Sequence, residues 1–256
     1  MALDLVTIPC LSDNYAFLAH CPDTGDTAVI DLPEAAPILA ALNERGWHLT
    51  HILLTHHHYD HIDGLDEVKA AFPDAVVIGA EADAERLPPL DLKVKENATI
   101  TVGIEWVRVL DVSGHTVGHI AYHFPESGYV FTGDSLMALG CGRLFEGTPA
   151  QMFDSLSKLA ALAPDTLICS GHEYTLANAK FALTVEPGNA ALQKRARDTE
   201  EARAAGQPTV PSTLRLELDT NPFLRADSAE VQQAVGLPGG DPAAVFAAVR
   251  KAKDDF

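Results

Sequence analysis

Short apolar runs recur along the chain up to about residue 170 and then stop. Ala28-Val29-Ile30 and Ile52-Leu53-Leu54 have the length and composition of buried strands. Between them, about Glu34 to Arg45 predicts a helix, with Pro37 near its first turn and Gly46 placed to close it. Residues 62–72 predict a second helix, ended by Pro73, and Ala75-Val76-Val77-Ile78 returns to strand. From about 98 to 132 the pattern becomes short strands split by turns: 98–102, 106–110, 120–124 and 129–132. Thr148-Pro149-Ala150-Gln151 then has the residues of a capped helix start, with Thr148 at N-cap, Pro149 at N1 and Gln151 at N3. That helix is expected to run to about Ala163, and a last strand to cover 166–169. Beyond 172 the readable segments are helical: 173–185, 189–205, about 227–235 and 242–253, punctuated by Pro and Gly. Alternation of strand and helix in both halves predicts an α/β chain with mixed sheets, followed by a helical segment.

Composition changes this picture little. The 256 residues are 47% apolar, and no apolar run nears the length that crosses a bilayer. Met1-Ala2-Leu3-Asp4 lacks a basic, apolar leader, so a signal peptide is not expected. Cys10, Cys21, Cys141 and Cys169 are scattered and read as reduced thiols of a cytoplasmic protein. Charge is more informative. The net −18 argues against nucleic acid as a partner. Residues 1–172 hold 24 acidic and 8 basic side chains, residues 173–256 hold 12 and 10. Cations for an anionic ligand are therefore expected mainly in the helical segment. Neither a membrane nor an obligate protein partner is indicated.

The chemistry concentrates in a few loops. After Ile52-Leu53-Leu54 comes His56-x-His58-x-Asp60-His61, read as an irregular loop at a strand end that supplies four potential ligands. Ser113-Gly114-His115-Thr116, Thr132-Gly133-Asp134-Ser135 and Ser170-Gly171-His172-Glu173 each place one further His or Asp after a glycine. Imidazoles mixed with carboxylates suit Zn, Fe or Mn rather than the all-oxygen shells of Ca or Mg. His57 alternates away from its neighbours and is expected to stay off the metals. His119 is expected either to support the site or to be structural, and Asp31 either supports a ligand imidazole or is a plain loop aspartate.

The ordered set His-x-His-x-Asp-His, Gly-His-Thr, Gly-Asp-Ser and Gly-His resembles the signature of the metallo-β-lactamase superfamily. That resemblance implies an αββα sandwich with a dinuclear site at one sheet edge. It implies that His56, His58 and His115 hold one divalent ion, that Asp60, His61 and His172 hold the other, and that Asp134 bridges them. Zinc is the first candidate, with iron or manganese also accommodated. A hydroxide shared by two cations would be the nucleophile, with Asp134 and Asp60 as the carboxylates that define its position.

Further stretches resemble glyoxalase II, the hydroxyacylglutathione hydrolases. They are Leu11-Ser12-Asp13-Asn14-Tyr15, Cys141 to Gly147, Gly171 to Thr175, Val185 to Asn189, Thr220 to Arg225 and Arg250 to Phe256. The resemblance implies a catalytic domain over 1–172 and a helical substrate-binding domain over 173–256. It implies hydrolysis of S-2-hydroxyacylglutathione thioesters, with Arg143, Tyr174, Arg250 and Lys253 on the glutathione moiety. Arg250 and Lys253 lie three apart and would share a helix face. Phe145 stands where the family often has tyrosine, which removes one possible hydrogen bond to the ligand. Two other readings use part of the same pattern. A mononuclear-iron persulfide dioxygenase would not need the second ligand set, and a closed structural metal site would need no open position.

Overall fold

The computed structural model describes residues 2–256, which pack into two compact units. The first comprises the chain up to Val112 together with Val117–Gly133, and the second comprises Ser113–Thr116 together with Asp134–Phe256.

Among the described residues the first unit is built on ten strands and three α-helices, with a short 3-10 turn at Glu81–Asp83. β1 (Asp4–Cys10), β2 (Asn14–His20) and β3 (Thr27–Ile30) are followed by α1 (Ala35–Arg45) and β4 (His51–Leu53). Next come α2 (Tyr59–Ile62), α3 (Leu65–Ala71), β5 (Val76–Ala80) and β6 (Leu92–Val94). β7 (Thr99–Val102), β8 (Glu105–Asp111), β9 (Ile120–Phe124) and β10 (Tyr129–Gly133) complete it. β1 to β6 form one sheet in sequence order; β10, β9, β8 and β7 lie side by side in a second. In the first sheet β1, β2 and β3 are antiparallel, and β3, β4 and β5 are parallel, with Ile30 opposite Leu53 and Leu53 opposite Ile78.

Side-chain alternation sorts the layers. Ala16 and Leu18 of β2 join Val29, Ile52 and Val77 in a core closed by Ile38 and Leu42 of α1 and Leu65 and Val68 of α3. Phe17 points the other way and packs on Phe131 of β10 at 5.5 Å between ring centroids. The fully buried Tyr122 of β9 donates its hydroxyl to the carbonyls of Leu54 and Ile78, a polar tie between the two sheets. The ends of β4 and β5 are thus fixed just before the ligand-bearing segment begins.

That segment differs from its sequence reading. Residues 59–62 form the single turn α2, so Asp60 and His61 project from a helix and not from an irregular loop. The helix expected over 62–72 begins only at Leu65. Gly64 explains the break. A Cβ there would lie 2.8 Å from Ala35 N and from Glu34 C, so the chain passes the start of α1 at a distance only glycine allows. The α1 prediction stands, with Gly46 left-handed at φ 65 and capping its last turn.

The second unit opens with the Ser113–Thr116 loop and the small hairpin β11 (Leu136–Met137) and β12 (Gly140–Cys141). α4 (Pro149–Ala160) carries the expected capping box, Thr148 Oγ1 accepting from Gln151 N and Gln151 Oε1 accepting from Thr148 N. β13 (Leu167–Ser170), α5 (Thr175–Val185) and α6 (Ala190–Ala204) follow. Then come β14 (Ser212–Thr213), α7 (Leu214–Thr220), α8 (Ala229–Ala234) and α9 (Pro242–Asp255). β14 is a strand that the sequence pattern did not show: two residues after a proline-rich stretch, paired antiparallel with β13. Phe181 of α5 and Phe246 of α9 pack on Phe223, and Phe153 of α4 packs on Phe246, which ties the helices together.

Candidate metal centre

In the first unit a chain of hydrogen bonds sets the protonation of the donor imidazoles. Asp31, at the end of β3, is 3% exposed, and its carboxylate receives the amide and the hydroxyl of Thr55, both at 2.8 Å. Because the Thr55 proton goes to Asp31, Thr55 Oγ1 accepts from Nδ1 of His56 at 3.0 Å. Asp31 Oδ2 also accepts from Nδ1 of His61 at 2.8 Å. Both imidazoles therefore carry their proton on Nδ1 and turn a lone pair outward on Nε2. Nε2 of His56 is 3.1 Å from Nδ1 of His58, and Nε2 of His61 is 3.9 Å from Oδ2 of Asp60. Asp60 is steadied by Asn14, whose Nδ2 donates to both its carbonyl and its carboxylate. Asp31, His56 and His61 bring donor atoms within 4.8 Å of one another. Both Asp31 oxygens already accept protein hydrogens, so Asp31 orients the imidazoles beside it and is the less suited of the three to be a donor itself.

The other candidates in this unit take supporting places. His119 is fully buried and stacks on His56 at 4.5 Å, nearly parallel. His57 turns to Asp83, Nδ1 to Oδ2 2.8 Å, and Asp83 is held in turn by Arg86.

The second unit presents His115, Asp134 and His172. Oδ2 of Asp134 lies 3.5 Å from Nε2 of His115 and 3.3 Å from Nε2 of His172. One carboxylate flanked by two imidazoles suits a ligand shared between two cations. His115 donates Nδ1–H to the Arg143 carbonyl at 2.7 Å, which again leaves Nε2 unprotonated. Gly142 makes this possible. A Cβ on it would lie 1.9 Å from Asp134 O and 3.0 Å from His115 Nδ1. Gly142→Ala is expected to cost about 1–3 kcal/mol, typical of an overpacked site, and to loosen metal retention. Urea unfolding and metal analysis of the variant check both.

In each unit the donor set fits a divalent transition metal: imidazoles, of which His56, His61 and His115 have a fixed tautomer, carboxylates beside them, and hydrogen-bonded partners behind. Asn14, Thr55 and Asp83 were not recognised from sequence as parts of this machinery. Asn14 lies inside the Leu11–Tyr15 motif, which was the available signal; Thr55 and Asp83 had none.

Comparison with known proteins agrees. The metallo-β-lactamase superfamily model matches residues 23–172, and the model described as hydroxyacylglutathione hydrolase C-terminus matches 173–256. A protein of Ruegeria pomeroyi named hydroxyacylglutathione hydrolase is 62% identical over 256 residues, all of both chains. This chain belongs to the hydroxyacylglutathione hydrolase family. Its metallo-β-lactamase fold is shared with ETHE1 from Myxococcus xanthus, at a TM-score of 0.69 and 23% identity over 98% of this chain and 90% of that one. TTHA1623, solved in a di-iron-bound form, gives a TM-score of 0.61 and 27% identity over 86% of this chain and 100% of that one.

The residues that the hydroxyacylglutathione hydrolase resemblance assigns to substrate lie in the second unit. Tyr174 stacks on His172 at 4.6 Å, and Phe145 meets His115 edge-on at 5.2 Å while remaining mostly exposed. Arg143 is exposed and pairs through Nε with Asp254 Oδ1 at 3.5 Å. Lys253 lies 5.2 Å from the ring centroids of both Phe181 and Phe256. Burial, then the neighbouring Arg250 charge, hold its ammonium below the ordinary lysine pKa. Arg250 differs from a surface cation. It is only 5% exposed, donates to Cys141 O and Asp254 Oδ1 at 2.9 Å each, and covers the Phe223 ring.

Proposed function

We propose that this enzyme hydrolyses S-2-hydroxyacylglutathione thioesters, such as (R)-S-lactoylglutathione, to a 2-hydroxy acid and glutathione, in methylglyoxal detoxification. The observation that carries the reading is full-length identity of 62% to a hydroxyacylglutathione hydrolase, in a chain where His56, His61 and His115 each turn a lone pair outward on Nε2. His56, His58 and His115 are assigned to one ion, Asp60, His61 and His172 to the other, and Asp134 to both. Zinc is the proposed metal, with iron or manganese as substitutes. Bound cations of this kind lower the pKa of a shared water to about 7 and take up charge on a carbonyl oxygen.

The protein's own contribution is orientation. Asp31 and Thr55 fix His56 and His61, the Arg143 carbonyl fixes His115, and Asn14 fixes Asp60. Asp60 and Asp134 act as donors and not as proton shuttles. The thiol that leaves has a pKa near 8.5 and needs little acid assistance, consistent with a donor cluster in which each carboxylate already has work. Residues 1–172 are assigned to catalysis and 173–256 to substrate binding, with Arg143, Tyr174, Arg250 and Lys253 on glutathione. Phe145 offers no phenol there, which weakens binding by about 0.5–1.5 kcal/mol for the missing bond.

No helix among the described residues is long and apolar enough to cross a membrane. The reaction is assigned to the cytoplasm, with a small-molecule thioester as the partner and no role for nucleic acid, membrane or an obligate protein partner. Metal analysis of protein purified without added metal, run beside a lactoylglutathione assay and a dioxygen electrode, tests the reading. Two metals per chain, thioester loss and no oxygen uptake are expected. Oxygen uptake with a persulfide substrate would replace hydrolysis with the dioxygenase reading.

A further inference from the structure

Among the buried polar groups of the second unit, one cluster has no part in the chemistry described so far. Glu217 of α7 is fully buried and accepts from four donors. They are the Leu139 amide at 2.9 Å, the Asn221 amide nitrogen at 3.1 Å, the Arg195 guanidinium and the Ser212 hydroxyl. Asn221, also fully buried, directs the same Nδ2 at Met137 O (3.1 Å) and Gly140 O (3.0 Å). Its Oδ1 accepts from Phe223 N at 3.0 Å. Two side chains thus grip three backbone groups of one small hairpin, β11–β12. At its tip Leu139 is held at φ 56, a backbone conformation a branched side chain rarely adopts unless its surroundings impose it.

What the hairpin joins is decisive. It leaves Asp134 through Ser135, and it returns through Gly142, whose amide donates to Ser135 O at 3.0 Å. The next carbonyl, of Arg143, is the acceptor that fixes the His115 tautomer. Gly142 has no slack against Asp134. A displaced hairpin therefore moves the Asp134 backbone and the His115 acceptor together. We infer that Glu217 and Asn221 are positioning residues for the metal donors His115 and Asp134, acting through the grip on the 136–141 hairpin. The helical segment then does more than receive substrate: it sets the geometry of two of the seven assigned donors. This rests on the assignment of His115 and Asp134 as ligands.

The test uses the metal-loaded full chain. Asn221→Ala removes the grip on Met137 O and Gly140 O. Glu217→Gln keeps the shape while replacing an acceptor with a donor, and it serves where the alanine variant does not fold. Asn189→Ala is the control: it removes the α6 cap and a bond to Asp219 O, and touches nothing in the hairpin. Metal release to a chelator should accelerate about tenfold or more in the hairpin variants, the usual scale for loss of a group behind a ligand. Thioester kcat should fall with metal occupancy; KM is a secondary readout, because Arg250 also rests on this hairpin through Cys141 O. Asn189→Ala should leave both unchanged even where it lowers the unfolding midpoint. Equal metal retention and kcat in Asn221→Ala, Glu217→Gln and control would overturn the inference and leave a stability role only. His115→Ala separates the two levels. If it also retains its metals, the ligand assignment fails and this inference falls with it. If it loses metal while the hairpin variants do not, only the inference falls.

Discussion

Asp134→Ala is expected to purify with fewer than two metal ions per chain and to lose most thioesterase activity, while keeping its fold. The carboxylate sits between His115 and His172, and on the proposed assignment its removal would leave two cations with less negative charge between them. Electrostatic repulsion then favours loss of at least one ion. The reaction loses with it the group that holds two ions to one water, and rate losses of two or more orders of magnitude follow when a metal site is dismantled. His56→Ala and His172→Ala should each deplete metal as well, because they are assigned to different ions. An Asp134→Ala protein with two metals and near-normal turnover refutes the dinuclear assignment. Full occupancy and rate in His172→Ala would favour a single-metal centre.

Arg250→Ala and Lys253→Ala should behave differently, although the residues lie three apart on α9. Arg250 is buried, and its loss strands the Cys141 carbonyl and uncovers Phe223. A hydrogen bond from a charged group is worth about 1.5–3 kcal/mol, so Arg250→Ala should lower the urea midpoint visibly. Lys253 is the cleaner probe of substrate. Lys253→Ala should raise KM for glutathione thioesters more than it lowers kcat, because a contact remote from the reacting carbonyl stabilises ground and transition states alike. A small neutral thioester should show no change, and added salt should shrink the difference. The pKa of this ammonium is depressed by burial and the neighbouring Arg250 charge, so the cation is lost as pH rises earlier than for an ordinary lysine. KM of the parent enzyme should climb over that alkaline range, and Lys253→Ala should abolish the climb. Equal losses on both thioesters would assign Lys253 to the fold instead.

Much of the donor set was legible because its residues sit in contiguous motifs. His56 to His61, and the glycine-led His115, Asp134 and His172, can be read without knowing what surrounds them. The parallel strands β3, β4 and β5 were equally readable, each a short apolar run between turn signals. β1 and β2 were not read as strands. β2 is buried along its whole length, so Asn14 to His20 shows no alternation. The one-turn helix α2 is set by the chain's passage over the start of α1 at Gly64, a tertiary constraint that no local pattern carries. The supporting residues were hidden by separation. Asn14 reaches Asp60 across 46 positions, and Glu217 reaches Leu139 across 78. Asp83 meets His57 across 26 positions. Single polar residues in a helix or loop give no hint of such partners.

The pairing of Arg143 with Asp254 bears on how an anionic thioester enters. On the proposed role of Arg143, the guanidinium that greets a substrate carboxylate already holds one from its own chain, and Asp254 is tethered by the buried Arg250. Arrival of substrate is then an exchange of one carboxylate for another, with little new charge neutralised at that arginine. Discrimination at this position becomes a contest between a tethered competitor and a free one. On that role Asp254 is a competitor already in place, and a mild one, because an exposed pair of this kind is worth only about 0.2–1 kcal/mol.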